Sequence, residues 1–310
     1  MKKLKKQGIS NDSSNGNNGI VFFAYNNEQI DYIRLAVLAA SAVKKHMKNN
    51  QTCLITNKSS LDWSTKSITN KTLNKVFDHI ITEEPNHKPN IRKFYDSPWA
   101  TFECQFENWN KNDVIKLTPF DKTLMLDVDF LVNNNFLDVA FEIEEPLMLY
   151  TDAITLRNEK PFHLLERKLH KNGIPMLWST AIYFDKNDKV VQLFFELWGH
   201  IKDNWDFYRY LYGFSTKIYR TDFAVSIATH MLNGFVENTL VKSLPDNPMK
   251  YVEPKDDIQD VLSNGTIRCL SHKPDEEWLH IFVNSKNENL HIMNKKAIDR
   301  NWDKLIRVYE

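Results

Sequence analysis

Two aspartates, two positions apart, lie in an apolar run: Lys122-Thr123-Leu124-Met125-Leu126-Asp127-Val128-Asp129-Phe130-Leu131-Val132. A segment apolar at nearly every position reads as a strand covered on both faces, as in a parallel sheet. Burying a carboxylate without a partner costs several kcal/mol. A divalent cation takes oxygen ligands and brings the compensating charge. The plainer alternative ends the strand at Leu126 and leaves Asp127 and Asp129 as solvated turn residues.

The elements around this run read as an α/β protein. Apolar strand Ile20 to Tyr25 runs into Asn26-Asn27, and a helix follows from about Glu28 to Met47 with Ile30, Ile33, Val37, Ala40 and Val43 on one side. Strand Thr52 to Thr56, a polar loop holding Trp63, a helix near Leu73 to Phe77 and strand His79 to Thr82 come next. Strand alternating with helix predicts a mostly parallel central sheet flanked by helices. Ligands of such sheets sit outside the carboxyl ends of the strands, which puts Tyr25, Asn26 and Asn27 on one rim with Asp127 and Asp129.

Residues 83–97 read as loop and contain Arg92 and Lys93, and a helix is expected from about Trp99 to Trp109. Strand Leu147 to Tyr150 delivers Asp152 to the rim, and strand Leu177 to Phe184 contains Trp178-Ser179-Thr180. An amphipathic helix is expected from Asp188 to His200, with Trp198 in the core. Thr221 or Asp222 is expected to cap a helix reaching Leu232, stopped by Asn233-Gly234. Residues 243–264 read as loop, strands 266–270 and 280–283 follow, and a helix closes the chain. Residues 1–19 read as a flexible basic and polar tail and 20–310 as a single domain.

Composition narrows the function. Lys+Arg and Asp+Glu are both 40 in 310 residues, so no net charge argues for nucleic acid. Cys53, Cys104 and Cys269 are widely spaced and read as reduced packing residues. No signal peptide or membrane-spanning stretch is recognised, and cytoplasmic is the expected location. Gly-x-Gly-x-x-Gly, Gly-x-x-x-x-Gly-Lys, His-Glu-x-x-His and Gly-x-Ser-x-Gly are all missing. With 8 glycines the chain has no glycine-rich phosphate cradle, so any bound phosphates must be neutralised otherwise, as a carboxylate-held cation would do.

The segment Leu117-Thr118-Pro119-Phe120-Asp121-Lys122-Thr123-Leu124-Met125-Leu126-Asp127-Val128-Asp129 resembles nucleotide-sugar glycosyltransferases of the GT-A fold, in particular their retaining glycogenin- and galactosyltransferase-like group. The resemblance is spread over about residues 20–300. It implies a single GT-A domain that moves a hexose from a nucleotide sugar, UDP-linked, to a hydroxyl on a glycan, a protein or a modified DNA base. By the same resemblance, Ala24 to Asn27, Asp127, Val128 and Lys295 belong to donor binding, and the loop residue Arg92 is a further candidate there. Asp127, Asp129 and His291 would be ligands of Mn²⁺ or Mg²⁺, and Asp222 would be a carboxylate beside the acceptor; Asp152, just past a strand at the rim, is the other candidate base. His291 comes from the segment Leu290-His291-Ile292-Met293-Asn294-Lys295-Lys296, where Lys295 or Lys296 would reach the diphosphate. A mixed oxygen and imidazole shell favours Mn²⁺. The alternatives are a nucleotidyltransferase on a related sheet, an aspartyl-nucleophile phosphatase and a nucleotide-sugar-binding module without turnover.

Overall fold

The computed structural model describes residues 17–48, 51–64, 68–84, 90–106, 109–161, 168–169, 174–236, 240–273, 276 and 279–310. Most of the expected tail lies outside these residues, although Asn18 and Gly19 already belong to the first strand.

The chain opens with β1 (Asn18–Phe23), α1 (Tyr32–His46), β2 (Gln51–Thr56), α2 (Lys58–Ser64), α3 (Asn70–Val76) and β3 (His79–Thr82). The β1 strand is buried along its last five residues. Asp31 caps α1 by accepting from the Arg34 N–H. Trp63 lies in α2 and not in a loop. Asn57 accepts from the Ser60 N–H and caps that helix, whose polar first turn hides it from a reading of apolar periodicity.

Next come β4 (Ile91–Tyr95) and β5 (Thr101–Gln105), an antiparallel hairpin where loop and helix were expected. Trp99, Phe102, Phe106 and Trp109 have helical spacing, but Phe102, Cys104 and Phe106 also alternate. Alternation wins because Phe94 lies opposite Phe102, with the rings stacked at 5.4 Å.

The middle of the chain supplies α4 (Val114–Leu117), β6 (Lys122–Leu126), β7 (Phe130–Leu131), β8 (Leu147–Tyr150), β9 (Ala153–Thr155) and β10 (Trp178–Asp185). Three helices follow: α5 (Lys189–Asp203), α6 (Trp205–Leu211) and α7 (Thr221–Leu232). Asp188 caps α5 through the Val190 and Val191 N–H groups. Arg220 occupies the cap of α7 without a side-chain bond, so neither Thr221 nor Asp222 caps it. The last part holds β11 (Lys242–Ser243), β12 (Met249–Val252), β13 (Asp257–Val261), β14 (Ile267–His272), β15 (His280–Ser285), β16 (Leu290–Ile292), α8 (Lys295–Arg300) and α9 (Trp302–Tyr309). Two of these strands, β12 and β13, lie where a loop was expected.

The main sheet has seven strands in the order β11-β8-β10-β6-β1-β2-β3. It is parallel from β3 to β6, β10 runs against both neighbours, and β11 is parallel to β8. This mixed, mostly parallel sheet flanked by helices is the expected α/β class. A four-stranded sheet, β7-β16-β12-β9, adjoins it, and β13-β14-β15 form a meander. One cluster of buried apolar side chains runs from Ile20 to Tyr309. Cys53, Cys104 and Cys269 are free and buried. Among the described residues, no helix is long and apolar enough to cross a membrane.

Candidate active site

Asp127-Val128-Asp129 joins the two sheets. The main-sheet strand β6 stops at Leu126, and β7 starts the smaller sheet at Phe130. The Asp127 N–H donates to the Thr180 carbonyl at 2.8 Å, and the Phe130 N–H turns back to the Asp127 carbonyl at 3.0 Å. Val128 is buried between the two aspartates. Antiparallel pairing of β7 with β16 sets His291 opposite Phe130, and the Ile292 N–H bonds the Asp129 carbonyl at 2.8 Å. Sheet register thus brings a histidine from near the chain's end beside the aspartates.

His291 Nε2 lies 3.4 Å from Asp129 Oδ2. On the other side of the ring, Nδ1 is 3.3 Å from Thr180 Oγ1. A hydrogen bond at Nδ1 fixes the ring and leaves Nε2 to face the carboxylates, the arrangement found around metal-bound histidines. One ligand atom each from Asp127, Asp129 and His291 lie within 4.8 Å of one another. Two carboxylates and an imidazole at that spacing fit a divalent cation of intermediate softness.

Two lysines flank the group. Lys295 opens α8 and places Nζ 2.5 Å from Asp129 Oδ2. Lys111, in the 3₁₀ turn Lys111–Asp113, is buried against Asp127 Oδ1. Sequence reasoning missed Lys111, because nothing in Asn110-Lys111-Asn112-Asp113 separates it from a solvated lysine. Of the two C-terminal lysines, Lys296 turns away to donate to the Gln29 carbonyl.

Electrostatics divide the two aspartates. Burial would raise both, and it does raise Asp127, helped by the negative charge of Asp129 and opposed by Lys111. At Asp129 the burial effect is overridden by Lys295 and His291, which hold the carboxyl well below the usual range. Asp222 is held low in the same way, against burial, by Arg220 and by hydrogen bonds from Ser179. Ser179 donates both N–H and Oγ–H to Asp222 Oδ1, at 2.9 and 2.7 Å, while Arg220 lies 3.2 Å from Oδ2.

These groups open into a cavity of about 570 Å³. Tyr25, Arg92, Asp127, Val128, Asp129, Asp222, His291 and Lys295 all line it, as do Trp178, Thr180 and Arg220. Arg92 arrives from the β4 strand of the hairpin and not from a loop.

Ala24, Asn26, Asn27 and Asp152 are not among the lining residues. Ala24 is fully buried, its N–H bonded to the Ile55 carbonyl at 3.0 Å. Asn26 accepts from the Ile33 N–H and donates to Asp31 and Ser64, tying β1 to α1 and α2. Asn27 accepts from the Ile30 N–H and donates to the Gln105 carbonyl. Their side chains are thus engaged in holding the loop. Asp152 is paired with Lys160 at the surface. Trp99 is 70% exposed against His280, at 5.4 Å between rings.

No family model and no curated protein matches the sequence. Among solved structures, the chain is similar to the glycosyltransferase GlyE of Streptococcus pneumoniae TIGR4, at 15% identity over 75% of this chain and 46% of that one, TM-score 0.41. It is similar to mouse xyloside xylosyltransferase 1, at 12% identity over 72% of this chain and 84% of that one, TM-score 0.42. A third is the galactosyltransferase LgtC in complex with donor and acceptor sugar analogs, at 11% identity, 73% and 72% coverage, and TM-score 0.40. The chain spans less than half the length of GlyE.

Proposed function

We propose that this chain is a metal-dependent glycosyltransferase of the GT-A type that moves a hexose from a nucleotide sugar, UDP-linked, to a hydroxyl acceptor. The observation that carries this reading is the grouping of Asp127, Asp129 and His291 within 4.8 Å, flanked by Lys111 and Lys295 in one cavity. Carboxylates already paired with ammonium groups suit a ligand that brings both a cation and phosphates.

Breaking a sugar-diphosphate bond develops negative charge on the departing nucleotide diphosphate. A Mn²⁺ held by Asp127, Asp129 and His291 supplies Lewis-acid stabilisation of that charge when bound. Lys295 and Lys111 exchange their carboxylate partners for phosphate oxygens and act as fixed point charges. Thr180 keeps the His291 ring oriented. Asp222 stays ionised beside Arg220 and Ser179, and its lowered proton affinity makes it a weak base. Its role is to orient the acceptor and face positive charge developing at the sugar, which agrees with transfer that retains configuration.

The test is a thermal-shift panel of nucleotides with and without Mn²⁺, followed by UDP-hexose hydrolysis. The expected result is stabilisation that needs UDP and Mn²⁺ together, slow UDP release from a UDP-hexose, and loss of both in Asp129→Ala. Metal-independent phosphatase activity, or indifference to every nucleotide, overturns the proposal. Binding without hydrolysis or transfer to any acceptor pool assigns the chain to nucleotide-sugar binding alone.

A further inference from the structure

The cavity holds more positive charge than the nucleotide diphosphate accounts for. Lys111 and Lys295 stand at Asp127 and Asp129, where a diphosphate would arrive. On the wall they share, Arg92 reaches in from β4, its guanidinium over the Phe106 ring at 4.6 Å, and Phe106 stacks on Phe94, which Lys295 covers. Its Nη2 donates to the Tyr219 carbonyl at 2.6 Å, whereas its Nε is buried without a partner. Among the described residues, no carboxylate pairs with Arg92. The nearby carboxylate, Asp222, is committed to Arg220 through Oδ2 and to Ser179 through Oδ1. The charges of Arg220 and Arg92 oppose each other. Burial first, and then Arg220, push Arg92 down to about 10, which leaves it a cation at neutral pH. Tyr32 lines the same wall, its ring 6.1 Å from that of Phe106, with its hydroxyl buried behind the surface and without a partner.

A half-buried cation that faces a cavity, with the neighbouring carboxylate already engaged by Arg220 and Ser179, favours a ligand that supplies a further negative charge. The planar fork of arginine matches the paired oxygens of a carboxylate or phosphate. We propose that the acceptor is an acidic sugar, whose carboxylate or phosphate is received by Arg92, with Arg220 beside it and the Tyr32 hydroxyl as a further donor. This rests on the donor assignment above for Asp127, Asp129, His291, Lys111 and Lys295, and moves Arg92 from the donor side, where the sequence reading places it, to the acceptor.

The probes are glucose, glucuronate and glucose 6-phosphate, titrated calorimetrically into the full chain with and without saturating UDP and Mn²⁺. The two acids are expected to bind at least tenfold more tightly than glucose, with the stronger of the two identifying a carboxylate or a phosphate. The preference is expected to persist with UDP and Mn²⁺ present, to vanish in Arg92→Gln and to survive in part in Arg92→Lys. A melting curve checks that Arg92→Gln is folded, and Arg220→Gln takes its place if it is not.

Equal binding of all three sugars overturns the proposal. So does a preference that Arg92→Gln retains, or one abolished by UDP and Mn²⁺, which would mean that the acids occupy the diphosphate position. Tighter binding of UDP-glucuronate than UDP-glucose, lost in Arg92→Gln, moves the oxyanion to the donor and also overturns it. If UDP and Mn²⁺ do not bind but the acid preference and its loss in Arg92→Gln remain, the donor reading fails and the oxyanion site stands.

Discussion

Lys295 Nζ stands 2.5 Å from Asp129 Oδ2, on the carboxylate that also meets His291 Nε2 at 3.4 Å. Asp129 stays ionised far below neutral pH, so an arriving cation competes with an ammonium group and not with a proton. Lys295→Ala should therefore shift two affinities in opposite directions. Affinity for Mn²⁺ alone should rise severalfold, because a like charge is gone. Affinity for UDP in the presence of Mn²⁺ should fall about ten- to a hundredfold, the value of a charge-assisted phosphate contact. Calorimetry of metal and nucleotide separately reads both, and a parallel fall would reduce Lys295 to a structural support.

The Thr180 side chain meets the proposed metal centre through the far nitrogen of His291. Thr180→Val keeps the shape of the side chain and removes the hydroxyl. Mn²⁺ affinity should drop about tenfold with the melting temperature little changed, as for other outer hydrogen bonds to metal-bound histidines. Equal affinities in variant and parent would show that packing alone orients the ring.

Asp246 offers a pH test away from the site. Burial pushes its carboxyl up to about 6, despite hydrogen bonds from Asn289 and Tyr150. The folded form then holds the proton more tightly than the unfolded chain, so the favourable contribution is complete below pH ~4 and is lost as pH rises to ~6. Above that, the ionised carboxylate is a standing penalty. Asp246→Asn should match the parent near pH 4 and melt a few degrees higher at pH 7.5. Melting curves that stay superimposed across this range would contradict the assignment.

Gly19 lies so close to Phe120 that a Cβ there would fall 2.4 Å from ring carbons. Phe120 is fully buried and has little room to yield. Gly19→Ala should destabilise the chain by about 1–3 kcal/mol, the usual range for overpacking. Adding Phe120→Leu should recover part of the loss in a chemical denaturation series, and its failure to do so would place the strain elsewhere.

The β-α-β-α-β opening was legible because β1 and β2 are apolar at nearly every position and separated by a helix-spaced run. Asp127 and Asp129 were legible because charge in such a run requires a reason. His291 came from resemblance, since strand pairing across the chain leaves no local mark. The β4–β5 hairpin was misread because its aromatic residues satisfy two periods at once, and only the partner strand decides between them. Asn26 and Asn27 looked like ligand groups because they follow a strand at the ligand-binding rim, yet their side chains hold local backbone. Lys111 was invisible because its burial depends on Asp127, which approaches from a different part of the fold.

The link between β6 and β7 belongs to one sheet at its start and to another at its end, and His291 reaches it from the second sheet. A cation gripped by all three side chains would be a removable crosslink between segments far apart in sequence, added to the β7–β16 pairing and the Lys295–Asp129 ion pair that already close this long loop. The last third of the chain would then be steadied whenever donor is present, so occupancy becomes a mechanical state of the second sheet. Slower amide exchange along β12 and β16 on adding Mn²⁺ and UDP would register it, and unchanged exchange would deny it.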